Sequence, residues 1–153
     1  MRLYRLTKSK YSRDLSGKGA EKSGGRWNSK GTSMLYTAPS IALATAEVAV
    51  HIPLGILPRD YNIVSFNLPE MLTIKELFTK NLPENWRSIP HSNSTQLLGD
   101  AFVNAGDAFI LKVPSAVIPG EINYLINPGH ANIKSVSILS IETYEFDTRL
   151  FVR

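Results

Sequence analysis

The chain contains no cysteine, which excludes disulfide bonds and thiolate-held metals from its 153 residues. No apolar run approaches the roughly 18 residues of a membrane-spanning helix, and the start, MRLYRLTKSK, lacks the apolar segment of a secretory signal. There are no internal repeats and no low-complexity segments. We therefore expect one globular domain over residues 1–153, located in the cytoplasm and without membrane contact.

Motifs of several enzyme classes are also missing. The three histidines, His51, His91 and His130, show neither the HxH nor the HExxH spacing of zinc sites, and no serine lies in a GxSxG turn. The glycine-rich segment 19–31 matches neither a P-loop nor a dinucleotide fingerprint, because the lysine–hydroxyl pair and the third glycine are missing. We therefore predict no metal site and no resident cofactor.

Positive charge is concentrated in the first fifth of the chain. Residues 1–31 contain nine Lys and Arg against two acidic residues, whereas the rest of the chain has eight basic and eleven acidic residues. A basic segment of this kind favours an anionic partner, such as a phosphate-bearing ligand, a nucleic acid or an acidic protein. The alternative is a set of lysines that are simply solvated.

Hydrophobic periodicity predicts a mixed α+β fold of about six strands and two main helices. The strands are expected at 2–6, 33–37, 61–69, 108–114, 123–127 and 135–147, and the helices at 41–52 and 93–106. Ser40 has the position of an N-cap, Asn93 and Gln96 have capping-box spacing, and Gly106 has the position of a C-cap. Residues 97–105 carry an apolar stripe, and segment 7–32 is predicted to be a long loop.

Two charged residues stand out in this pattern. Arg26 follows two glycines in GAEKSGGRWNSKG, and such a loop suits either anion binding or an ordinary structural arginine. Glu47 is the only charged residue between Lys30 and His51, on a helix that is otherwise mostly apolar. A carboxylate there is either paired, with Arg26 as the candidate partner, or faces a cleft and has a chemical task.

Taken in order, these segments resemble the RES-domain toxins of RES–Xre toxin–antitoxin pairs, a family named for an Arg, a Glu and a Ser. The matching stretches are YRLTKSKY, GKGAEKSGGRWNSKG, LYTAPSIALATAEVAVH, STQLLGDAF and LKVPSAVIPGEINYLINPGH. The resemblance covers almost the whole chain. It implies a split, mixed sheet core like that of ADP-ribosyltransferase toxins, which binds NAD⁺ as a consumed substrate.

The resemblance also implies a set of site residues. The catalytic residues are expected to be Arg26, Glu47 and Ser115. Substrate contacts are expected from Arg26, Tyr36, Trp27 and Asn127. In this picture the arginine grips phosphate or ribose oxygens, the tyrosine stacks on nicotinamide, and the carboxylate stabilises an oxocarbenium-like ribose. The serine bonds the ribose or orients the carboxylate.

The implied function is a toxin that cleaves the nicotinamide–ribose bond of NAD⁺, with water or phosphate as acceptor, and so depletes NAD⁺ and arrests growth. One alternative is transfer of ADP-ribose to a host protein. An alternative of another class is a non-catalytic module that binds an antitoxin or a nucleic acid. The family's partner is an Xre-type helix-turn-helix antitoxin that covers the cleft, so contact with DNA is expected only through that partner.

Overall fold

The computed structural model describes residues 1–152, which contain seven β-strands and three α-helices. The strands are β1 (Arg2–Lys8), β2 (Leu35–Thr37), β3 (Tyr61–Asn67), β4 (Ile74–Glu76), β5 (Ile110–Pro114), β6 (Ile122–Ile126) and β7 (Ser137–Tyr144). The helices are α1 (Lys18–Ser23), α2 (Ile41–Ala49) and α3 (Asn93–Ala105). Within this range no helix combines the length and the hydropathy needed to cross a bilayer.

The strands form two separate sheets, as the expected split core requires. β1, β3 and β7 make an antiparallel sheet of three strands, and β2, β6, β5 and β4 make a mixed sheet of four, with β4 and β5 parallel. The backbones of Tyr4 and Ala38 join the sheets, because each N–H donates to the other's carbonyl at 2.8 and 2.9 Å. The bridge therefore holds the segment that leads into α2 beside β1.

Helix α2 begins where the sequence predicts. The Ser40 hydroxyl accepts from the backbone N–H of Leu43 at 3.1 Å and caps the helix. Leu43 and Ala44 pack against β1 and β3 in a cluster that contains Leu6 and Ile63. The helix ends at Ala49, three residues earlier than predicted. This packing fixes the rotation of α2 and so the direction of its only acidic side chain.

Helix α3 differs from the predicted stripe. Leu97 is 62% exposed, whereas Gly99 is buried against the segment that contains Arg26. The N-cap is Ser92 and not Asn93, and no capping box forms, because the Gln96 side chain bonds elsewhere. Gly106 ends the helix in the left-handed conformation, as predicted.

Two short elements were not predicted. Helix α1 lies inside the expected loop 7–32, and β4 lies in a segment without clear alternation. Helix α1 has six residues, too few for a 3.6-residue period to be visible. β4 has three residues and exists as a strand because it pairs with β5.

We expect Gly99→Ala to destabilise the protein strongly. A Cβ at this position would lie 1.6 Å from the carbonyl oxygen of Trp27, so α3 and the Arg26 segment would have to separate. Overpacking of this kind costs about 1–3 kcal/mol or more in the free energy of unfolding, which urea denaturation measures. Gly19→Ala is the matched control, because its Cβ meets nothing within 4 Å and the helix gains roughly 0.5–1 kcal/mol. Equal stability of the two variants would contradict the packing described here.

Candidate active site

The Glu47 carboxylate is held by one of its two oxygens. Oε1 accepts a hydrogen bond from Ser115 Oγ and another from Asn123 Nδ2, each at 2.6 Å. Ser115 directly follows β5 and Asn123 lies near the start of β6, so the end of this hairpin that carries the connecting loop meets the α2 side chain. Oε2 has no hydrogen-bond partner among residues 1–152. The carboxylate is therefore oriented and retains one free acceptor oxygen.

Ser115 has no hydrogen-bonding capacity left for a ligand. The side chain is 2% exposed, and its hydroxyl oxygen accepts from the N–H groups of Val117 at 3.1 Å and Ile118 at 2.9 Å. Its single proton is donated to Glu47. A hydroxyl has one donor and two acceptor sites, so all three are used. Of the two roles expected for this serine, the geometry favours orienting the carboxylate over bonding ribose.

Arg26 is anchored by backbone carbonyls and not by a carboxylate. Its Nη1 donates to the carbonyl of Trp86 at 2.7 Å and to that of Ser88 at 3.1 Å. The ion pair with Glu47, considered as the structural alternative, is not among the ion pairs of residues 1–152. Burial lowers the pKa of Arg26, and the nearby charge of Glu47 opposes this shift. A guanidinium stays protonated in either case, so the two opposite charges are close but not neutralised in a direct pair.

Tyr36 holds the backbone of Trp27 and the side chain of the following Asn28. Its hydroxyl accepts from the N–H of Trp27 at 3.1 Å and donates to Asn28 Oδ1 at 2.6 Å. Burial raises the pKa of this phenol, so the hydroxyl keeps its proton. Gly25 is required beside it, because a Cβ there would lie 2.7 Å from the tyrosine oxygen. The tyrosine expected to contact substrate thus also holds the Arg26 loop.

Helix α3 holds the same loop from the other side. Gln96 Nε2 donates to the carbonyls of Gly25 at 3.0 Å and Asn28 at 3.2 Å. One turn later, the Asp100 carboxylate accepts from the backbone N–H of Ser29 at 2.9 Å and from its hydroxyl at 2.5 Å. Gln96 and Asp100 are four residues apart and share a helix face. This i, i+4 spacing is the signal in the sequence that points to the two supports, and neither residue was predicted to have this role.

Asn123 and Asn28 were missed as well. Asn123 contacts the Glu47 carboxylate directly, and Asn28 is fully buried, with its amide donating to the carbonyls of Ala20, Ser29 and Thr32. Lone asparagines give no periodic signal. Their contacts join residues that are far apart in the sequence, or close a loop whose path the sequence does not reveal.

Trp27, expected to contact the substrate, lies in the hydrophobic core. Its side chain is 3% exposed and packs in a cluster with Met34, Phe102 and Leu125. The expectation is corrected, because a ring enclosed in this way offers no face to a ligand. Burial of the tryptophan instead fixes the position of the adjacent Arg26.

Asn127 lies at the opposite end of the β5–β6 hairpin from the carboxylate. Its N–H donates to the Phe109 carbonyl, whereas the N–H of Ser115 donates to the Glu121 carbonyl at the other end. Six residues of extended chain separate these two ends, or about 20 Å. Asn127 borders a separate cavity of about 450 Å³, and its side-chain oxygen accepts from the Gly129 N–H at 2.9 Å. These contacts give Asn127 a local structural role, and its expected contact with the substrate stays a prediction.

The histidines occupy different surroundings. His91 Nε2 lies 3.3 Å from Gln96 Nε2, and burial, Arg26 and His51 together lower the pKa of His91. His51 is exposed, four residues after Glu47, beyond the end of α2. His130 caps a 3₁₀ turn, its Nδ1 accepting from the N–H of Asn132 at 3.1 Å. His51 and His91 thus border the Arg26 side of the site, while His130 does not take part in it.

Comparison with known proteins identifies the class of this fold and site. Residues 2–147 match the model of the RES domain. The chain is 37% identical over 139 residues to a protein of Sphingobium sp. strain YBL2 named "Prs ADP-ribosylating toxin", covering 90% of this chain and 86% of that protein. It is 34% identical over 152 residues to "Toxin Res" of Yersinia enterocolitica, covering 98% and 99%.

A solved structure supports the fold assignment. The crystal structure of the M. tuberculosis MbcT–MbcA toxin–antitoxin complex contains a chain that superposes with a TM-score of 0.74 at 19% identity, covering 98% of this chain and 86% of that one. At that identity the likeness shows the fold alone. Together with the match over residues 2–147, it establishes that the chain belongs to the RES domain family of toxins.

We expect Tyr36→Phe to lower both stability and activity. Without the hydroxyl, the N–H of Trp27 and the buried Asn28 oxygen lose their partners, at about 1–3 kcal/mol for an unsatisfied buried polar group. Thermal unfolding measures the change. Tyr11→Phe is the control, since Tyr11 is 48% exposed. If both variants melted like the wild type, the hydroxyl of Tyr36 would not be holding the loop.

Proposed function

We propose that the chain cleaves the nicotinamide–ribose bond of NAD⁺. The single observation that carries the proposal is the Glu47 carboxylate, held at Oε1 by Ser115 and Asn123 and free at Oε2. A carboxylate fixed in this way, and not paired with the nearby arginine, is arranged to stabilise positive charge in a ligand. The family assignment supports NAD⁺ as that ligand.

The reaction separates charge in a way that suits this arrangement. The electron pair of the C1′–N bond leaves with nicotinamide, which becomes neutral, and the ribosyl carbon becomes oxocarbenium-like. Oε2 of Glu47 accepts from the ribose 2′-hydroxyl and stabilises the positive centre. The Tyr36 ring is the expected stacking partner of nicotinamide, and Arg26 grips an oxygen of phosphate or ribose. The acceptor then adds through oxygen to C1′ and loses its proton to solvent.

The acceptor defines two versions of the function. With water or phosphate, the enzyme depletes the cytoplasmic NAD⁺ pool and arrests growth. With a protein side chain, the enzyme is an ADP-ribosyltransferase, and the name of the Sphingobium relative favours keeping this second candidate. Both versions share the first bond cleavage at Glu47 and differ only after it.

A toxin of this kind requires a partner that silences it. We propose an Xre-type helix-turn-helix antitoxin that covers the cleft, so that the toxin meets DNA only through its partner. The solved toxin–antitoxin complex with the same fold supports such a partner. A purely non-catalytic binding module is the remaining alternative, and it predicts that loss of the Glu47 charge leaves toxicity intact.

The test is cellular NAD⁺ after induced expression of the wild type and of Glu47→Gln. We expect a rapid fall with the wild type, and a loss of 10²–10³ in rate with the variant, because one preorganised group that stabilises the transition state contributes about 2.7–4 kcal/mol. Glu70→Gln, at an exposed carboxylate, is the matched control and should behave like the wild type.

Other outcomes separate the alternatives. Growth arrest with stable NAD⁺, together with labelled protein after supply of radioactive NAD⁺, would assign ADP-ribosyl transfer. Growth arrest that persists in Glu47→Gln would contradict enzymatic toxicity and favour the binding module.

A further inference from the structure

The turn that anchors Arg26 contains a second arginine. Arg87 lies between the two residues whose carbonyls accept from Arg26 Nη1. Its own Nη2 donates to the carbonyl of Ala116 at 3.1 Å, next to Ser115. Arg87 therefore extends from the Arg26 side of the site to the loop that orients Glu47. No motif in the sequence marks this residue.

Neither guanidinium is neutralised by an acid within residues 1–152. The three ion pairs of the described chain lie elsewhere, at Lys75–Asp107, Lys112–Glu76 and Arg149–Asp147. Burial lowers the pKa of Arg26, the nearby Glu47 opposes that shift, and the charge of Arg87 makes a smaller lowering contribution, so the two cations repel each other in a site that also contains a carboxylate. Two like charges held together by backbone carbonyls raise the electrostatic energy of the empty site, and an anion between them would offset it.

Arg26 and Arg87 also have hydrogen-bond donors that are not used within the protein. Nε and Nη2 of Arg26, and Nε and Nη1 of Arg87, have no hydrogen-bond partner among residues 1–152. A guanidinium is a planar fork that matches two oxygens of one phosphate group. The free Nε and Nη2 of Arg26 lie side by side and form such a fork. The free Nε and Nη1 of Arg87 point to opposite edges of its guanidinium, so each offers a single charged donor. One bidentate and one single-donor arginine fit a ligand with two adjacent phosphates.

We propose that Arg87 and Arg26 together bind the pyrophosphate of a dinucleotide, with each guanidinium engaging one phosphate. This inference rests on the proposed function, since it places the ribose of NAD⁺ against Glu47 while the pyrophosphate lies across the two arginines. The site should therefore prefer a dinucleotide over a nicotinamide nucleoside, which has no phosphate for either arginine to bind.

The competing explanation is structural. The bond from Arg87 to the Ala116 carbonyl would then serve only to tie the two loops together. If Arg87 only joins the two loops, its removal lowers the free energy of unfolding of the unliganded protein. If Arg87 binds an anion, its main contribution is to the free energy of anion binding. Affinity for a pyrophosphate ligand and unfolding without ligand therefore separate the two roles.

The test uses ADP-ribose, which contains the pyrophosphate and lacks the bond to be cleaved. Calorimetry on Arg87→Gln should show an affinity for ADP-ribose reduced roughly 10–100-fold, the effect of losing charged hydrogen bonds. The unfolding temperature without ligand should not fall below the wild-type value, because the variant also removes the repulsion between the two arginines. Arg87→Lys keeps the charge but not the planar group that bonds the Ala116 carbonyl, and its affinity should fall in between. Arg13→Gln is the control: this exposed arginine lies near the start of the chain, and the variant should bind ADP-ribose like the wild type.

Three results would overturn the inference. They are wild-type protein that does not bind ADP-ribose, an Arg87→Gln variant with unchanged affinity, and an affinity that falls only together with the unfolding temperature. The outcome is separable from that of the proposed function. If ADP-ribose binds through Arg87 but the protein releases no nicotinamide from NAD⁺, the anion site stands and the proposed function fails. If the Arg87→Gln variant cleaves NAD⁺ with a wild-type KM, the proposed function stands and the anion site fails.

Discussion

The hydrogen bond from Ser115 to Glu47 is the interaction on which the rest of the site depends. It is possible only because the serine hydroxyl also closes the turn after β5, where two backbone N–H groups occupy its acceptor sites and direct its proton to the carboxylate. Asn123 shares the same oxygen, so Oε1 is saturated and Oε2 is left for chemistry. The carboxylate on α2 is thus oriented by the β5–β6 hairpin, which belongs to a different part of the sequence.

The positive side of the site is built differently. Carbonyl groups hold Arg26, while Tyr36 and Gln96 fix the backbone around it with neutral donors and acceptors. None of these contacts neutralises the guanidinium, so its charge remains available to an anion. A direct pair with Glu47 would have satisfied both charges and left neither for a substrate. The separation of the two groups is therefore what makes the site suited to a ligand that carries both negative phosphates and a cationic ring.

Much of the fold was predictable, because long elements repeat their pattern. The β1 alternation gave the correct start of that strand, although the strand continues two residues further, to Lys8. The Ser40 cap gave the start of α2, and the Gly106 C-cap gave the end of α3. The short elements β4 and α1 were not predictable, since three to six residues contain no measurable period. The predicted apolar stripe of α3 was partly wrong. The buried face of the helix is determined by the close approach of Gly99 to the Trp27 carbonyl, and a hydrophobicity pattern contains no information on such a backbone contact.

The site was predictable only in part. Resemblance to a family gives Arg26, Glu47 and Ser115 as the expected catalytic residues, and the fold brings the serine and the carboxylate into contact. It also suggested Trp27 and Asn127, one of which lies in the core and the other at the far end of the hairpin. Asn123 and Arg87 carry no motif, and their roles follow from strand register and loop contacts that join distant segments.

The most direct test of this account is release of nicotinamide from NAD⁺ by the purified protein, measured for the wild type, Glu47→Gln and Ser115→Ala. The account predicts release by the wild type, a loss of two to three orders of magnitude in Glu47→Gln, and a smaller loss in Ser115→Ala, where the carboxylate remains but is less well oriented. Equal release by the wild type and Glu47→Gln would contradict the central claim that this carboxylate performs the chemistry.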